Sequence, residues 1–196
     1  MINYVKGKLA HKDPAYVVID VNGIGYQIGI SLNTFSAIGG NENIKLHTYF
    51  HVKEDIQALY GFYEENEREI FKALISISGI GPKSALIVLS TLSPEELKQA
   101  IMMEDVKTIQ SVKGIGAKTA QRVVLELKDK VGKLDAQGSL NISANTYNTT
   151  KYEALSALTT LGIAKTSAEK AIDKFLKQAG GEASVENIIK AVLKSA

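Results

Sequence analysis

The chain has 196 residues, of which 45% are hydrophobic and 22% charged, as in a globular protein of one large domain or two to three small ones. It has no apolar run long enough for a membrane span and no signal-peptide core at its start, so we expect a cytoplasmic protein. Cys is absent, which excludes disulfides and thiolate metal sites. The net charge of +2 gives only weak support for a nucleic-acid partner, because DNA-binding proteins usually carry a basic face.

Residues 1–63 are predicted to form a small β domain. Several of its short apolar runs are rich in Tyr, Val and Ile, which favour strands, and Asn22-Gly23 is a strong hairpin-turn signal. The predicted strands cover residues 2–9, 16–21, 26–30, 44–52 and 56–62. Five short strands in about 60 residues indicate a barrel of the OB-fold type.

Residues 64–131 are predicted to be helical. Acidic residues at 64–67 suit the first turn of a helix, and Ser93-Pro94 followed by two Glu has the pattern of a second helix start. Residues 64–130 contain ten Lys and Arg and ten Asp and Glu, so any basic surface in this segment must be local.

The segment also contains an internal repeat with an offset of 35 residues. Residues 76–85 read SISGIGPKSA, and residues 111–120 read SVKGIGAKTA. Each copy predicts a helix end, a Gly-Ile-Gly turn and a new helix with a lysine near its start, Lys83 or Lys118. An ordinary helix connection with glycine caps is the alternative, but two matched copies favour paired helix-hairpin-helix motifs.

Such turns have a physical use in DNA binding. Glycines permit positive φ and carry no Cβ, so the backbone can approach a surface closely. The helix that follows presents unpaired N–H groups and a positive dipole end, which bind an anion such as a phosphate. Contacts of this kind recognise the DNA backbone rather than the base sequence.

The rest of the chain is predicted to be a linker and a small helical domain. Residues 132–149 are polar and lack an apolar period, which is typical of a flexible linker. Residues 150–196 have the apolar spacing of three helices, the first ending at Gly162 and the second at Gly180-Gly181. The last helix has more apolar residues than one core face requires, so either all are buried or some form a docking surface.

Two further groups of residues suggest sites. Glu54 and Asp55 lie between two predicted strands, where the simplest interpretation is a solvated hairpin turn. His47 and His51 are four residues apart, but in a strand that separation is roughly 13 Å, which is too long for one shared metal. We therefore expect no metal site and no cofactor.

With these motifs, the chain resembles the RuvA family of bacterial Holliday-junction-binding proteins. The resemblance covers the whole chain and is weakest at its end. It depends on Gly23-Ile-Gly-Tyr26, on Glu54-Asp55 followed by Leu59-Tyr-Gly-Phe62, and on the two Gly-Ile-Gly turns, the second continuing to Ala120 with Arg122. The implied fold is a multidomain α+β protein: an N-terminal OB-fold barrel, a tandem helix-hairpin-helix domain and a small C-terminal three-helix bundle.

The resemblance also implies partners and site residues. The partners are four-way junction DNA, a RuvB-type hexameric ATPase motor, a RuvC-type junction resolvase and further copies of the chain in a homotetramer. Glu54 and Asp55 would form an acidic pin at the centre of the junction. The expected motor-docking residues are Leu161, Ile163, Ile189 and Leu193. The expected DNA-binding residues are Gly79, Gly81, Lys83, Ser84, Gly114, Gly116, Lys118, Thr119 and Arg122.

Three positions depart from the family pattern. Ala117 stands where many members have Lys, Lys53 where many have Arg, and Ile56 where Ala is usual. One phosphate contact of the second turn would then be missing, with Lys113 as a substitute.

Two other functions compete with that of a non-catalytic junction-binding subunit. A helix-hairpin-helix DNA repair enzyme, either a glycosylase or a nuclease, would need catalytic residues, and the sequence contains neither cluster-binding Cys nor clustered acids for metal-dependent cleavage. A single-strand binder that uses the barrel would not need paired hairpins. We therefore expect no catalytic residue in the chain.

Overall fold

A computed structural model describes the backbone of residues 1–138, 146–178 and 183–195, and the side chains of residues 1–128, 150–176 and 183–194. It divides into two compact units, Met1–Ser139 and Leu140–Ala196. The elements of the first unit are β1 (Tyr4–Lys12), β2 (Tyr16–Val21), β3 (Ile24–Ile30), α1 (Leu32–Ile38), β4 (Asn43–Val52), β5 (Gln57–Phe62), α2 (Glu65–Ile75), α3 (Pro82–Thr91), α4 (Pro94–Met102), α5 (Val106–Gln110) and α6 (Ala117–Gly138). Those of the second are α7 (Thr146–Thr160), α8 (Lys165–Gln178) and α9 (Val185–Ser195).

The five strands form a closed barrel in the order β1-β2-β3-β5-β4, which confirms the predicted OB-fold. All neighbours are antiparallel except β3 and β5. Alternate residues point inward, as Val17 and Ile19 do in β2. The first strand lies later than predicted, because a bulge between Leu9 and His11 lets it continue pairing with β2 as far as Lys12.

Helix α1 was missed by the sequence prediction. It begins at Ser31, whose hydroxyl accepts a hydrogen bond from Thr34 N at 3.0 Å. The helix is only seven residues long, so its apolar period is too short to stand out. Tertiary contacts hold it: Ile38 is buried in the barrel core, and the Asn33 amide donates to Leu89 O at 2.5 Å in α3.

The barrel and the helices α2 to α6 share packing surfaces. Phe71 of α2 lies against Tyr49, Tyr60 and Phe62 of β4 and β5, with ring centroids 5.5, 5.4 and 4.9 Å away. These rings belong to one apolar cluster that continues through the helical region to Leu127. The turns of the helical region are therefore held against the barrel rather than tethered to it.

A buried carboxylate strengthens this contact. Glu67 of α2 is only 3% exposed, and its two oxygens accept hydrogen bonds from Ser31 Oγ at 2.5 Å and Thr34 Oγ1 at 2.7 Å. The next residue, Arg68, donates to the side-chain oxygen of Asn3 at 2.7 Å. Adjacent residues of α2 thus bind two separate parts of the barrel domain.

Burial raises the pKa of Glu67 above its ordinary value of 4.5, although the two hydroxyl donors oppose the shift. The folded protein therefore binds a proton at the Glu67 carboxylate more tightly than the unfolded chain does. The protonation of Glu67 therefore contributes to the free energy of unfolding fully below pH 4.5, and this contribution is lost as pH rises through the folded pKa of Glu67.

We expect the difference in unfolding free energy between the wild type and Glu67→Gln to shrink as pH rises from 4.5 through the folded pKa of Glu67. Gln has the same shape and does not titrate, so the comparison removes the effect of every other carboxylate. Urea denaturation at several pH values measures the difference, and Glu69→Gln, which changes a half-buried carboxylate on the same helix, is the control. If the difference in unfolding free energy does not change with pH, the pKa of Glu67 is not raised in the folded protein.

The helices that flank the predicted linker extend further than the sequence indicated. Helix α6 continues to Gly138 and α7 begins at Thr146, so the prediction of a non-helical segment over residues 132–149 is wrong at both ends. Strong helix formers such as Lys, Leu, Ala and Gln outweigh the single Gly132. The middle of the predicted linker, residues 139–145, lies outside the described residues.

The second unit is a three-helix bundle with its own core. The buried residues come from all three helices: Ala154, Leu158, Ala168, Ile172, Leu176, Ile188 and Val192. Gly162 has a φ of +92°, which fits its predicted place after the end of α7. The predicted helix end at Gly180-Gly181 lies outside the described residues. Among the helices of the described ranges, none is long and apolar enough to cross a membrane.

Candidate nucleic-acid interface

The two Gly-Ile-Gly sequences form equivalent turns between helices. In the first, which joins α2 to α3, Ile80 N donates to Ile77 O at 3.1 Å and Ala85 N donates to Gly81 O at 2.9 Å. The second turn, which joins α5 to α6, has the same two bonds 35 positions later, at 3.1 and 2.9 Å. The internal repeat of the sequence is therefore a structural repeat.

Glycine is required at the first position of each turn. Gly79 has a φ of +96° and Gly114 a φ of +89°, a region that other residues rarely occupy. The central isoleucines, Ile80 and Ile115, are buried and anchor the turns in the core. A Cβ built on Gly81, Gly114 or Gly116 would meet no atom within 4 Å, so the backbone on this side is open.

The helices after the turns begin without a side-chain cap. Gly81 has no side chain to cap α3, and Pro82 at the helix start has no N–H, so the open N–H groups of the first turn are those of Lys83 and Ser84. Neither α3 nor α6 has an acid in its first turn. Helix α4 of the same domain has the opposite start, with a capping box between Ser93 and Glu96.

The side chains beside these helix starts are basic or hydroxylic. Lys83 and Lys118 are both exposed in the first turns of α3 and α6, as predicted. The next residues, Ser84 and Thr119, are half-buried. Each helix start therefore combines open N–H groups, a positive dipole end and a lysine, which is a favourable environment for a phosphate.

The structure brings the two turns next to each other, which the sequence could not show. The guanidinium of Arg122 in α6 donates to Ser78 O of the first turn at 3.4 Å. A Cβ placed on Gly79 would lie 4.0 Å from Thr119 Oγ1. The same Arg122 pairs with Glu126 at 3.2 Å, so it both links the turns and carries a partly neutralised charge.

Glu54 and Asp55 lie at the tip of the hairpin between β4 and β5. Lys53 N donates to Ile56 O at 2.8 Å and Ile56 N to Lys53 O at 3.4 Å, which closes a tight turn around the two acids. Both carboxylates are exposed. The structure therefore confirms that Glu54 and Asp55 lie at the tip of a hairpin.

His47 and His51 are half-buried residues of β4. The ring of His51 lies 6.2 Å from Tyr49 and 6.5 Å from Tyr60, which is an aromatic packing arrangement. Within the described part of the chain, no three His, Cys, Asp or Glu residues are grouped so as to hold a metal ion.

The second unit exposes part of the surface predicted for docking. Leu161 is 61% exposed and Leu193 is 48% exposed, whereas Ile163 and Ile189 are half-buried against the bundle core. Tyr152 is also 52% exposed. It was not predicted as a docking residue, because an aromatic residue in a helix does not show by itself which face of the helix it occupies.

Comparison with known proteins agrees with this architecture. Residues 1–61 match the family model of the RuvA N terminal domain, residues 71–129 a SAM-like helix-hairpin-helix tandem, and residues 151–196 the RuvA C-terminal domain. The Holliday junction branch migration complex subunit RuvA of Cytophaga hutchinsonii is 55% identical, over 99% of both chains.

The chain belongs to the RuvA family. Subunits of the same name from Christiangramia forsetii and Flavobacterium psychrophilum are 54% and 49% identical, the first over 99% of both chains and the second over the full length of both. The multidomain fold predicted from the sequence is thereby confirmed, with one family model for each of the three parts. In this RuvA-family chain the paired turns fall in the tandem, and Glu54-Asp55 falls in the N-terminal domain.

Proposed function

We propose that the chain binds four-way Holliday junctions independently of base sequence, as the non-catalytic DNA-binding subunit of a branch-migration complex in recombination and DNA repair. The observation that supports this most directly is the pair of adjacent, uncapped helix starts, each with an exposed lysine. Two such starts side by side suit the phosphates of the two strands of a duplex arm. The RuvA names of the relatives point to the same role.

The DNA contacts we propose are those of the backbone amides and side chains of both turns: Gly79, Gly81, Lys83, Ser84, Gly114, Gly116, Lys118, Thr119 and Arg122. The second turn also has an exposed Lys113 where the first has Ser78. Because Ala117 provides no charge, we assign to Lys113 the phosphate contact that a lysine at that position would make.

Glu54 and Asp55 are proposed to act by repulsion at the centre of the junction. Carboxylates close to phosphates disfavour tight packing of the strands at the crossover and thereby keep the junction open. The effect is on the order of 1 kcal/mol for the pair, because exposed charges are screened by water and salt.

We expect the double variant Glu54→Gln, Asp55→Asn to bind junctions at least as tightly as the wild type and plain duplex more tightly. Removing negative charge near phosphates strengthens the electrostatic attraction at every distance. Gel mobility shifts with junction and duplex DNA of equal length measure both affinities. Asp13→Asn with Asp20→Asn, which neutralises two charges elsewhere on the barrel, is the control. Weaker duplex binding by a folded double variant would rule out repulsion.

The second unit is proposed to dock on a RuvB-type hexameric ATPase and to stimulate it. The exposed Leu161 and Leu193, together with Ile163 and Ile189 beside them, provide an apolar surface on a small folded bundle. A contiguous exposed apolar patch commonly marks a protein interface, whereas a single exposed leucine does not. A RuvC-type junction resolvase is proposed as a further partner on the same DNA, in the bacterial cytoplasm.

Assembly as a homotetramer is part of the same proposal. An apolar groove of about 1140 Å³ lies between the barrel and α3, with Leu59, Tyr60 and Leu86 in its lining. Ile87, at its edge, is 43% exposed. Burying such a surface between copies would remove apolar area from water. The solution mass of the full chain, with and without junction DNA, measures the number of copies.

One experiment separates the proposed function from its alternatives. The full chain should retard four-way junctions more strongly than duplex or single-stranded DNA of equal length. Preference for single strands would favour a barrel-based single-strand binder. Hydrolysis of DNA by the purified chain alone would favour a helix-hairpin-helix repair enzyme, with the base-excision or nuclease product showing which class. Hydrolysis of ATP by the purified chain alone would contradict a non-catalytic subunit.

A further inference from the structure

The hairpin that carries Glu54 and Asp55 extends beyond the barrel as a ribbon of two strands. On one side, β1 pairs with β4 only as far as His47. On the other, β3 pairs with β5 only from Leu59 onward. Residues 51–58 therefore pair with each other alone, and from Ala58 to the tip the ribbon reaches roughly 10 Å past its last neighbouring strand.

Each face of this ribbon has one large exposed apolar residue next to the acidic tip, opposite a polar residue. The register pairs Val52 with Gln57 and His51 with Ala58, so successive residues alternate between the two faces. Val52 is 56% exposed on one face, and Ile56, opposite Lys53, is 46% exposed on the other. Large apolar side chains are thus exposed on each side of a narrow projection that extends beyond the barrel core.

We propose that Val52 and Ile56 form an apolar wedge whose two faces contact unstacked bases at the junction crossover. The inference rests on the proposed function, since it requires the ribbon to point into a four-way junction. It adds a second element to the acidic tip: the carboxylates keep phosphates away, and the apolar faces accept the bases that the separated strands expose.

The charge distribution of the ribbon selects bases as the occupant. Glu54 and Asp55 outnumber the one lysine of the ribbon, Lys53, so residues 51–58 carry a net charge of −1 (two acids, one lysine, His51 neutral) and the phosphate backbone is a poor partner for this projection. Bases are the uncharged part of DNA, and opened pairs expose their apolar faces. Apolar side chains inserted between base steps are an established way for proteins to stabilise unstacked DNA.

Ile56 presents a large apolar surface that the barrel does not bury. The side chain packs in neither core cluster of the first unit. The side chain stabilises no core and leaves apolar area in contact with water. Contact with DNA bases would remove that area from water.

The test uses the full chain and a four-way junction with 2-aminopurine at the crossover, whose fluorescence rises when the base unstacks. The variant is Val52→Thr with Ile56→Thr, because Thr keeps the branched shape and the strand propensity while adding a hydroxyl. Ile24→Thr is the matched control, since Ile24 is 60% exposed at the end of another hairpin of the same barrel. Thermal unfolding of each variant checks the fold.

The wild type and Ile24→Thr are expected to raise the fluorescence equally, and the double Thr variant to raise it by about half as much or less, at saturating protein. Ile56→Ala should lie between them. An unchanged rise in the double variant would overturn the wedge, as would a change in solution mass, which would show that these side chains contact another copy of the chain. A wild type that binds the junction without a rise overturns the wedge alone, whereas failure to bind junctions overturns the proposed function.

Discussion

A chain that ends at Ser139 is expected to fold and bind junctions as the full chain does, but to lose essentially all stimulation of the motor ATPase. The two units have separate apolar cores: the clusters of the first lie wholly within residues 5–127 and that of the second within residues 154–192. Removal of the second unit therefore deletes no core residue of the first. Both Gly-Ile-Gly turns and the acidic tip remain.

The measurements are junction retardation, and the ATPase and strand-separation rates of a RuvB-type motor with each form. A full-length variant, Leu161→Asp with Leu193→Asp, should reproduce the loss, because a charge buried at a protein interface is costly. Lys174→Asp, an exposed change on α8 that alters the net charge by the same −2 as the double variant, is the control. Full stimulation by the shortened chain would show that the motor contact lies in the first unit.

The double variant Lys83→Ala, Lys118→Ala is expected to bind junctions at least about tenfold more weakly near physiological salt, and with a smaller salt dependence. Each lysine that contacts a phosphate releases counterions, so the log–log slope of affinity against salt should fall by about one per lost contact in each chain. Charge-assisted bonds of this kind are among the stronger surface contacts, which is why the loss should be large.

Salt titrations of junction binding between low and moderate ionic strength give the slope directly. Lys190→Ala is the matched control for each single variant, because it removes one lysine charge from the other unit, where Lys190 lies 3.8 Å from Glu186. Each single variant should show about half of the change in slope. An unchanged slope in the double variant would remove both lysines from the proposed DNA surface, even if affinity fell for another reason.

Local features of the sequence were sufficient to predict the two Gly-Ile-Gly turns. Positive φ at Gly79 and Gly114 requires glycine, and the equal spacing to Lys83 and Lys118 places both lysines in the first turn of a helix whatever else the chain does. Short runs rich in Tyr, Val and Ile, with turn signals between them, likewise predicted the strands of the barrel. These features depend on neighbours only a few residues apart, so the sequence alone determined them.

Features that depend on distant residues were decided by the tertiary structure. Arg122 and Ser78 are 44 positions apart, and no local pattern in the sequence predicts their contact. The same holds for Glu67, which a sequence would assign to solvent and which the fold buries against two hydroxyls of α1. In α9, adjacent apolar residues differ in role, with Val192 buried and Leu193 half exposed. Which side of a helix is covered depends on where the other helices pack, and that is set by the burial of the whole apolar surface rather than by local spacing.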